Sequence, residues 1–333
     1  MNEYEEVSMS ETSQIPTALG VMIEGQEGLT WERWHALTDS AENLGFDSLW
    51  RSDHLFSVMG ESQRETLALW PSLTAAALRT SRIKLGQLVS PTTFRHPIHL
   101  ASDAVALDQL SEARFILGVG AGWNVGEHEA FGFDLRTLKD RMDRFEESLK
   151  VITGLWTGEP FSFSGKHFQL DNARTTSLPI NGIVPLVLGG SGEKRTLRLV
   201  AQYADEWNMT GWNPELYDHK TQVLEQHCAA VGRPSETIRR SIMHGHIIGA
   251  THDEVVERAA KIKEIQIGVR DMEPAEAAAT LKSRGWLVGT PEEIVEGIHE
   301  RRAHGVTRIM LQTYDMDDHD ALKLFAEEVI PHI

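Results

Sequence analysis

Apolar and polar segments alternate along the chain at the intervals expected of strand–helix units. Eight short apolar runs of strand type are separated by segments in which apolar residues recur every three or four positions. The predicted strands are TALGVMIE, FDSLWR, IKLGQLV, FILGVG, VPLVLGG, DEWNMT, TIRRSIMHGHIIGA and VTRIMLQTY. This alternation predicts an α/β fold with a parallel sheet, and eight repeats favour a closed (β/α)8 TIM barrel over an open, doubly wound sheet.

Helical periodicity predicts the helices between these strands. The first runs from Trp31 to Leu44 with Thr30 as its N-cap. The helix after the fifth strand is predicted as EKRTLRLVAQYA, opened by Ser191 and Gly192. The other main helices are predicted as WPSLTAAALRT, PIHLASDAVALDQL, LKDRMDRFEESLKVITGLW and the segment from Pro214 to Val231.

Two segments do not fit the simple repeat. Residues 158–179 alternate aromatic and polar residues around Gly165, which predicts a hairpin inserted before strand five. A second insertion follows strand seven, from Thr251 to Thr290, and contains capping-box patterns at both of its ends. Insertions in barrel loops commonly build lids or ligand sites.

Composition narrows the function classes. The chain has 333 residues and a net charge of -17, and this charge argues against nucleic acid and anionic membranes as partners. Its single cysteine, Cys228, excludes an internal disulfide. No run reaches the roughly 18 apolar residues of a membrane span. Residues 1–16 are acidic and Ser-rich without the features of a signal peptide, so we expect a mobile tail followed by one barrel domain over residues 17–333 of a cytoplasmic protein.

The GGSG loop after strand five is a candidate anion site. Gly190, Ser191 and Gly192 stand where a strand passes into a helix, and the free N–H groups of a helix start attract negative charge. Arg195 would add a positive charge. The pattern favours a phosphate site, with a simple connecting turn as the alternative.

Two further loops carry candidate chemistry. Arg51, Ser52, Asp53 and His54 follow strand two, where a histidine oriented by a carboxylate suits proton transfer near neutral pH. The alternative, with Asp53 as a loop cap and His54 as a spectator, stays open from the residues alone. After strand four, GVGAGW lacks the G-x-G-x-x-G spacing, and its glycines instead permit close approach of a flat ligand. Trp123, Asn124, Glu127 and His128 follow those glycines, and Trp123 fits a core position equally well.

Metal and nucleophile chemistry have little support. The histidine pairs His96 with His99 and His244 with His246 lack a third ligand nearby, so we expect no metal site. There is no G-x-S-x-G motif.

Four segments together resemble the luciferase-like monooxygenase superfamily, whose members are flavin- and deazaflavin-dependent barrel enzymes. The segments are FDSLWRSDHLF, LGQLVSPTTFRHP, RFILGVGAGWNVGEHEAFGF and PLVLGGSGEKRTLRLVAQYADEWN, and the resemblance covers nearly the whole chain from Ala18. The SDH, GVGAGWN and GGSG motifs are most similar to the branch that uses coenzyme F420. FMN-dependent alkanesulfonate-type monooxygenases share much of the pattern.

The resemblance implies roles for particular residues. It implies that His54, with Asp53 beside it, lies near the reacting carbon of the deazaflavin as an acid/base. It also implies a non-prolyl cis peptide between Leu88 and Val89, next to Ser90, behind the central ring. The remaining implied contacts are to the ring or its ribityl chain from Gly122, Trp123 and Asn124, and to the phosphate from Gly190, Ser191 and Gly192.

The chain departs from the sugar-phosphate dehydrogenases of that branch. In those enzymes a glutamate follows the corresponding glycine turn as proton donor, whereas Trp123 stands there in this chain. Glu127 is a candidate replacement. Basic residues that would grip a phosphorylated substrate are not evident, so the sequence disfavours a sugar phosphate.

These observations lead to three functional hypotheses. The first is hydride transfer between coenzyme F420 and a small organic substrate, with His54 as the proton-transfer group and Trp123, Trp207 and Trp212 shaping the pocket. The second is an FMN-dependent two-component monooxygenase. The third is a non-catalytic flavin-binding protein. The resemblance also predicts a homodimer.

Overall fold

A ring of parallel strands forms the centre of the computed structural model, which describes residues 16–59 and 64–333. Apart from Pro16, the predicted mobile tail lies outside the described residues. The strands are β1 (Ala18–Ile23), β2 (Ser48–Arg51), β3 (Lys84–Gln87), β4 (Ser90–Pro91), β5 (Phe115–Gly120), β6 (Phe161–Ser164), β7 (Gln169–Ala173), β8 (Leu186–Gly189), β9 (Glu206–Thr210), β10 (Arg239–Ile248), β11 (Leu287–Gly289) and β12 (Arg308–Thr313).

Eight of these strands close into a barrel. Neighbours pair in the order β1, β2, β3, β5, β8, β9, β10, β12, and β12 pairs with β1 to complete the ring. All of the pairings in the ring are parallel. The eight predicted strands and the TIM-barrel fold are therefore confirmed.

Helices cover the outside of the barrel. They are α1 (Trp31–Asn43), α2 (Leu69–Arg79), α3 (Pro97–Leu110), α4 (Val125–Phe131), α5 (Leu138–Trp156), α6 (Thr196–Tyr203), α7 (Pro214–Val231), α8 (His252–Ile265), α9 (Pro274–Ser283), α10 (Pro291–Ala303) and α11 (His319–Leu324). Thr30 caps α1 as predicted, because its hydroxyl accepts a hydrogen bond from the Arg33 N–H. Among the described helices, none has the length and apolar content needed to cross a bilayer.

One predicted helix begins later than expected. Helix α6 starts at Thr196, and the non-helical backbone of Arg195 (φ -121°) precedes it. The Leu197 N–H bonds back to the Gly192 carbonyl at 3.0 Å, so residues 192–196 form a wide turn. The prediction that Ser191 and Gly192 open this helix is wrong, because the chain passes through this turn and the non-helical Arg195 before the helix begins.

Both predicted insertions are present. Strands β6 and β7 form an antiparallel hairpin in which the Gly165 N–H donates to the Phe168 carbonyl. The second insertion contains α8, α9 and β11, and β11 extends the sheet by pairing with the end of β10. This insertion packs its own apolar cluster, which includes Val255, Ile262 and Leu281, against Tyr314.

A single tryptophan fills much of the barrel interior. Trp50 of β2 is fully buried among Met22, Met310 and other apolar side chains. Two strands carry glycine beside it, and a methyl group added at Gly86 would lie 2.4 Å from the Trp50 ring. The indole therefore occupies space that the missing side chains of Gly20 and Gly86 leave open.

The Trp50 arrangement predicts that Gly86→Ala destabilises the barrel. An added methyl group forces the indole out of a close-packed interior, which costs about 1–3 kcal/mol for overpacking of this kind. Thermal unfolding followed by circular dichroism should therefore show a lower midpoint for this variant. The matched control is Gly126→Ala in α4, whose added methyl group meets no atom closer than 3.4 Å. Equal midpoints for the two variants would contradict the packing account.

Candidate active site

The predicted histidine, His54, lies at the carboxyl end of β2 and binds a carboxylate from a different loop. Its Nδ1 is 2.7 Å from Oε2 of Glu127. The other oxygen of Glu127 accepts a hydrogen bond from the Leu55 N–H at 2.6 Å. Since the carboxylate accepts, Nδ1 carries a proton, and Nε2 is the ring atom left for a bound molecule.

Helix α4 holds Glu127 in place. The Asn124 side chain caps this helix by accepting from the Glu127 N–H at 3.1 Å, which puts the carboxylate in the first turn. Negative charge is favoured there by the helix dipole. The Glu127 side chain is 0% exposed, so its two short hydrogen bonds are shielded from water.

Glu127 changes the acidity of His54. Burial by itself disfavours the imidazolium form, but the hydrogen bond and charge of Glu127, with smaller contributions from Glu24 and Asp53, outweigh it and raise the pKa of His54. The histidine is thereby biased towards its protonated form near neutral pH. Such a group can deliver a proton to a bound substrate or recover one from it.

Asp53 does not orient the His54 ring, contrary to the expectation from their adjacency. Its carboxylate accepts from the Ser90 hydroxyl at 2.7 Å and from the Arg95 guanidinium, whose Nη2 lies 3.0 Å from Oδ1. Asp53 therefore ties the end of β2 to β4. The residue that orients His54 is Glu127.

The peptide between Leu88 and Val89 is cis, as the resemblance implies. The Val89 side chain lies against strands that carry glycine at the contact points. A methyl group at Gly120 would lie 2.7 Å from the Val89 side chain, and one at Gly189 would lie 3.2 Å from it. At Gly118 a methyl group would lie 1.9 Å from the Gln87 carbonyl oxygen. The turn between β3 and β4 thus fits closely against β5 and β8.

The loop after β5 brings its predicted residues close to this turn. Gly122 has φ +84°, and a methyl group there would lie 2.6 Å from the Thr93 hydroxyl. Trp123 is 65% exposed and meets the His54 ring edge-on, with 5.7 Å between ring centroids. It is therefore a surface wall beside His54, and the core alternative for Trp123 is wrong. The Asn124 side chain is already engaged as the cap of α4.

The GGSG loop lies at the end of β8, next to Val89. Gly190 has φ +119°, its N–H donates to the Asn208 carbonyl, and its own carbonyl accepts from the Trp207 indole at 2.8 Å. Arg195 does not face an open anion site, because its guanidinium binds Asp143 at 2.7 Å and Glu146 at 3.2 Å. Because the Gly190 N–H and carbonyl are already engaged, an anion at this loop would be bound by the N–H groups of Ser191 and Gly192 and by the serine hydroxyl.

The expected pocket wall at Trp207 is wrong, and the one at Trp212 stays a prediction. Trp207 is fully buried and stacks on Tyr217 of α7, with ring centroids 5.5 Å apart. Trp212 packs against Tyr217 and His304 and carries the Arg301 guanidinium over its ring. Trp207 in β9 and Trp212 just after it thus both contact the surrounding helices.

Three of the four paired histidines, His96, His244 and His246, have structural partners. His96 caps α3 through Nδ1, and the fully buried His244 accepts a hydrogen bond from Arg301 at 3.0 Å. Burial lowers the pKa of His244 to about 3 and that of His246 to about 4. On the outside of the barrel, Asp140, Asp143 and His167 have ligand chemistry and lie close together, but Lys166 already binds both carboxylates.

Sequence reasoning missed two features of the barrel mouth. Arg95 is the partner of Asp53, and Glu24 at the end of β1 is a buried carboxylate that binds the Gln26 and Gln312 side-chain amides. Glu24 ends a predicted strand in the sequence, and in a barrel the carboxyl ends of strands carry the site. The position of Glu24 at the end of a predicted strand could therefore have marked it as a site residue. Nothing in the local sequence links Arg95 to Asp53.

Comparison with known proteins places the chain among barrel oxidoreductases. Residues 12–308 match the family described as luciferase-like monooxygenase. The chain is 31% identical over 313 residues to the F420-dependent glucose-6-phosphate dehydrogenase of Beutenbergia cavernae, covering 90% of this chain and 92% of that protein. This family match and this relative confirm the resemblance found in the sequence, including its deazaflavin-dependent branch.

Two solved structures share the fold. The coenzyme F420-dependent tetrahydromethanopterin reductase of Methanopyrus kandleri superposes with a TM-score of 0.79 at 21% identity, covering 95% of this chain and 99% of that chain. An F420-dependent secondary alcohol dehydrogenase in complex with an F420-acetone adduct also gives a TM-score of 0.79, at 20% identity and with 95% and 98% coverage. At these identities the likeness establishes the barrel alone.

The His54–Glu127 pair predicts that Glu127→Gln lowers the pKa of His54. The amide keeps the size of the side chain but removes the negative charge, while the burial that opposes the imidazolium remains. A titration of the His54 ring protons by NMR should show a midpoint below that of the unsubstituted protein. Glu129→Gln, at an exposed position of the same helix, should leave the midpoint unchanged. An unshifted midpoint in Glu127→Gln would refute the proposed control of His54 by Glu127.

Proposed function

The chain belongs to the luciferase-like monooxygenase family, and on that basis we propose that it transfers a hydride between coenzyme F420 and a small organic substrate at the mouth of the barrel. The observation that carries the proposal is His54, held by the buried Glu127 at the carboxyl end of β2 with Nε2 left for a ligand. The F420-dependent relative at 31% identity supports the choice of cofactor.

The residues that would hold the cofactor surround Val89. The cis peptide of Leu88 and Val89 would support the ring, and Gly122 and Trp123 would border it. The fit rests on the close approach of β5 to Val89, because a side chain at Gly120 would collide with Val89 and narrow this end of the barrel. Gly190, Ser191 and Gly192 would hold the phosphate, while Ser90 and Asn124 would act through the loops that they fix.

The cofactor, once bound, supplies the hydride chemistry, and the protein supplies the proton and the geometry. Protonated His54 gives its Nε2 proton to a substrate oxygen as that oxygen gains charge, or takes the proton back in the reverse direction. Glu127 holds the ring in one orientation throughout, and Asp53 fixes the loop through Arg95 and Ser90. The homodimer and the cytoplasmic location belong to the same proposal.

The choice of cofactor is tested by titrating the purified apoprotein with F420 and with FMN. We expect quenching of deazaflavin fluorescence with a dissociation constant in the micromolar range and no comparable change with FMN. Micromolar binding of FMN alone, with oxygen consumption coupled to a substrate, would instead support the two-component monooxygenase. Tight F420 binding without turnover across a broad panel of substrates would support the non-catalytic alternative.

The role of His54 is tested by His54→Ala. We expect turnover to fall by about a hundredfold or more, as is usual when a general acid is removed, while the dissociation constant of F420 changes little. His304→Ala is the matched control, because His304 at the end of α10 also binds a carboxylate at 2.7 Å, that of Asp218 in α7. Unchanged turnover in His54→Ala would remove the histidine from the mechanism.

A further inference from the structure

A cavity of about 210 Å³ opens at the amino ends of the barrel strands, on the face opposite the candidate active site. It is enclosed by the starts of β3, β8, β9, β10 and β12 and by the residues before β5. Its charged lining consists of Lys84, Arg114, Asp205, Glu206, Arg239 and Arg308. Four cations and two carboxylates thus meet in a chain whose net charge is -17, and this local excess of positive charge favours a small anion.

Three of the four cations are already held by other groups of the protein. Arg308 binds Glu206 through Nη1 and Asp47 through Nη2, the latter at 2.9 Å. Lys84 also binds Asp47, at 3.2 Å. Arg114 donates to three backbone carbonyls and one hydroxyl, so it adds positive charge to the cavity without a bonded carboxylate from the described part of the chain.

Arg239 is the fourth cation, and its guanidinium makes no hydrogen bond or ion pair with a described residue. The pairing of β9 with β10 sets Arg239 beside Glu206, on the same face of β10 as Met243, which packs in the barrel interior. Burial and the neighbouring Arg308 lower the pKa of Arg239, so negative charge placed beside it is stabilising. A guanidinium whose planar N–H groups are unused is a strong donor to oxyanions.

Glu206 offers an acceptor in the same cavity. It is 4% exposed, its Oε2 binds Arg308, and its Oε1 is buried without a hydrogen-bond partner among the described residues. The nearby Ser241 hydroxyl donates instead to the Trp207 carbonyl at 3.2 Å. The other carboxylate, Asp205, already accepts from a backbone N–H of β8. Burial raises the pKa of Glu206 although Arg308 favours its charged form, so a proton beside Oε1 is favoured.

We propose that this cavity binds inorganic phosphate, whose oxygens accept from Arg239 and Lys84 and whose O–H group donates to Oε1 of Glu206. At pH about 8, hydrogen phosphate and sulfate are both tetrahedral dianions, and a phosphate monoester carries the same charge, but only hydrogen phosphate keeps a proton to donate. The site therefore selects free phosphate. It is separate from the GGSG loop, which follows the carboxyl end of β8 at the other face of the barrel.

The selectivity is tested by isothermal titration calorimetry of the full chain with phosphate, sulfate and glycerol 3-phosphate, in a phosphate-free buffer at constant ionic strength and the same pH. We expect phosphate to bind about tenfold or more tightly than the other two, because they leave Oε1 of Glu206 without a donor. In Glu206→Gln the side-chain amide can donate to either anion, so the affinities for phosphate and sulfate should lie within about threefold of each other.

The role of Arg239 is tested with Arg239→Gln. We expect the affinity for phosphate to fall by about tenfold or more, because the charged donor is lost. Arg240→Gln is the matched control, since Arg240 is the next residue of β10, its side chain lies 4.0 Å from Glu225 outside the cavity, and its loss should leave phosphate affinity unchanged. Thermal unfolding shows which variants are folded, and Arg239→Gln decides the outcome if Glu206→Gln, which weakens the Arg308 ion pair, does not fold.

Three results would overturn the phosphate site. They are absence of phosphate binding to the unsubstituted protein, equal affinities for phosphate and sulfate, and phosphate binding that is unchanged in Arg239→Gln. Binding that persists in Arg239→Gln and is lost in Ser191→Ala would place the anion at the GGSG loop instead. None of these measurements uses F420 or turnover, so the result is independent of the proposed function.

Discussion

The hydrogen bonds of the buried Glu127 carboxylate fix the relation between two barrel loops on which the candidate site depends. One oxygen binds the His54 ring and the other accepts from the Leu55 N–H. A single side chain therefore fixes both the orientation of the ring and the position of the backbone in the loop after β2. The bonds are strong because they involve an ion shielded from water. If Glu127 were lost, His54 would lose its raised pKa and its fixed tautomer together.

The cofactor position depends on a second constraint, which is the close approach of backbone segments around Val89. Glycines at 118, 120 and 189 leave room for the turn between β3 and β4, and Trp50 fills the interior below it. Side chains therefore fill the barrel interior beneath the turn, so a ligand can bind only at the strand ends. Proton transfer from His54, support of the ring by Val89 and phosphate binding at the GGSG loop would then occur at neighbouring strand ends.

The sequence predicts the fold well and the partners of its site poorly. Helices α3, α5 and α7 and strand β5 have the predicted bounds, because apolar spacing and capping residues are local signals. Helix α6 begins three residues later than the sequence predicts, since the turn closed by the Leu197 N–H and the Gly192 carbonyl is not visible in the local sequence. Adjacency suggested Asp53 as the partner of His54, whereas the true partner, Glu127, lies 73 positions away along the chain. Which carboxylate reaches a histidine is decided by how the loops meet, and that follows from the closed barrel rather than from neighbouring residues.

The central claim is that one barrel mouth holds F420 with its reacting carbon facing His54. A crystal structure of the F420 complex tests it most directly. The account predicts the phosphate at Gly190, Ser191 and Gly192, the ring against the Leu88–Val89 peptide, and Nε2 of His54 within reach of a substrate oxygen placed over the reacting carbon. A cofactor bound elsewhere, or a His54 that turns away from the ring while Glu127 binds another group, would contradict it.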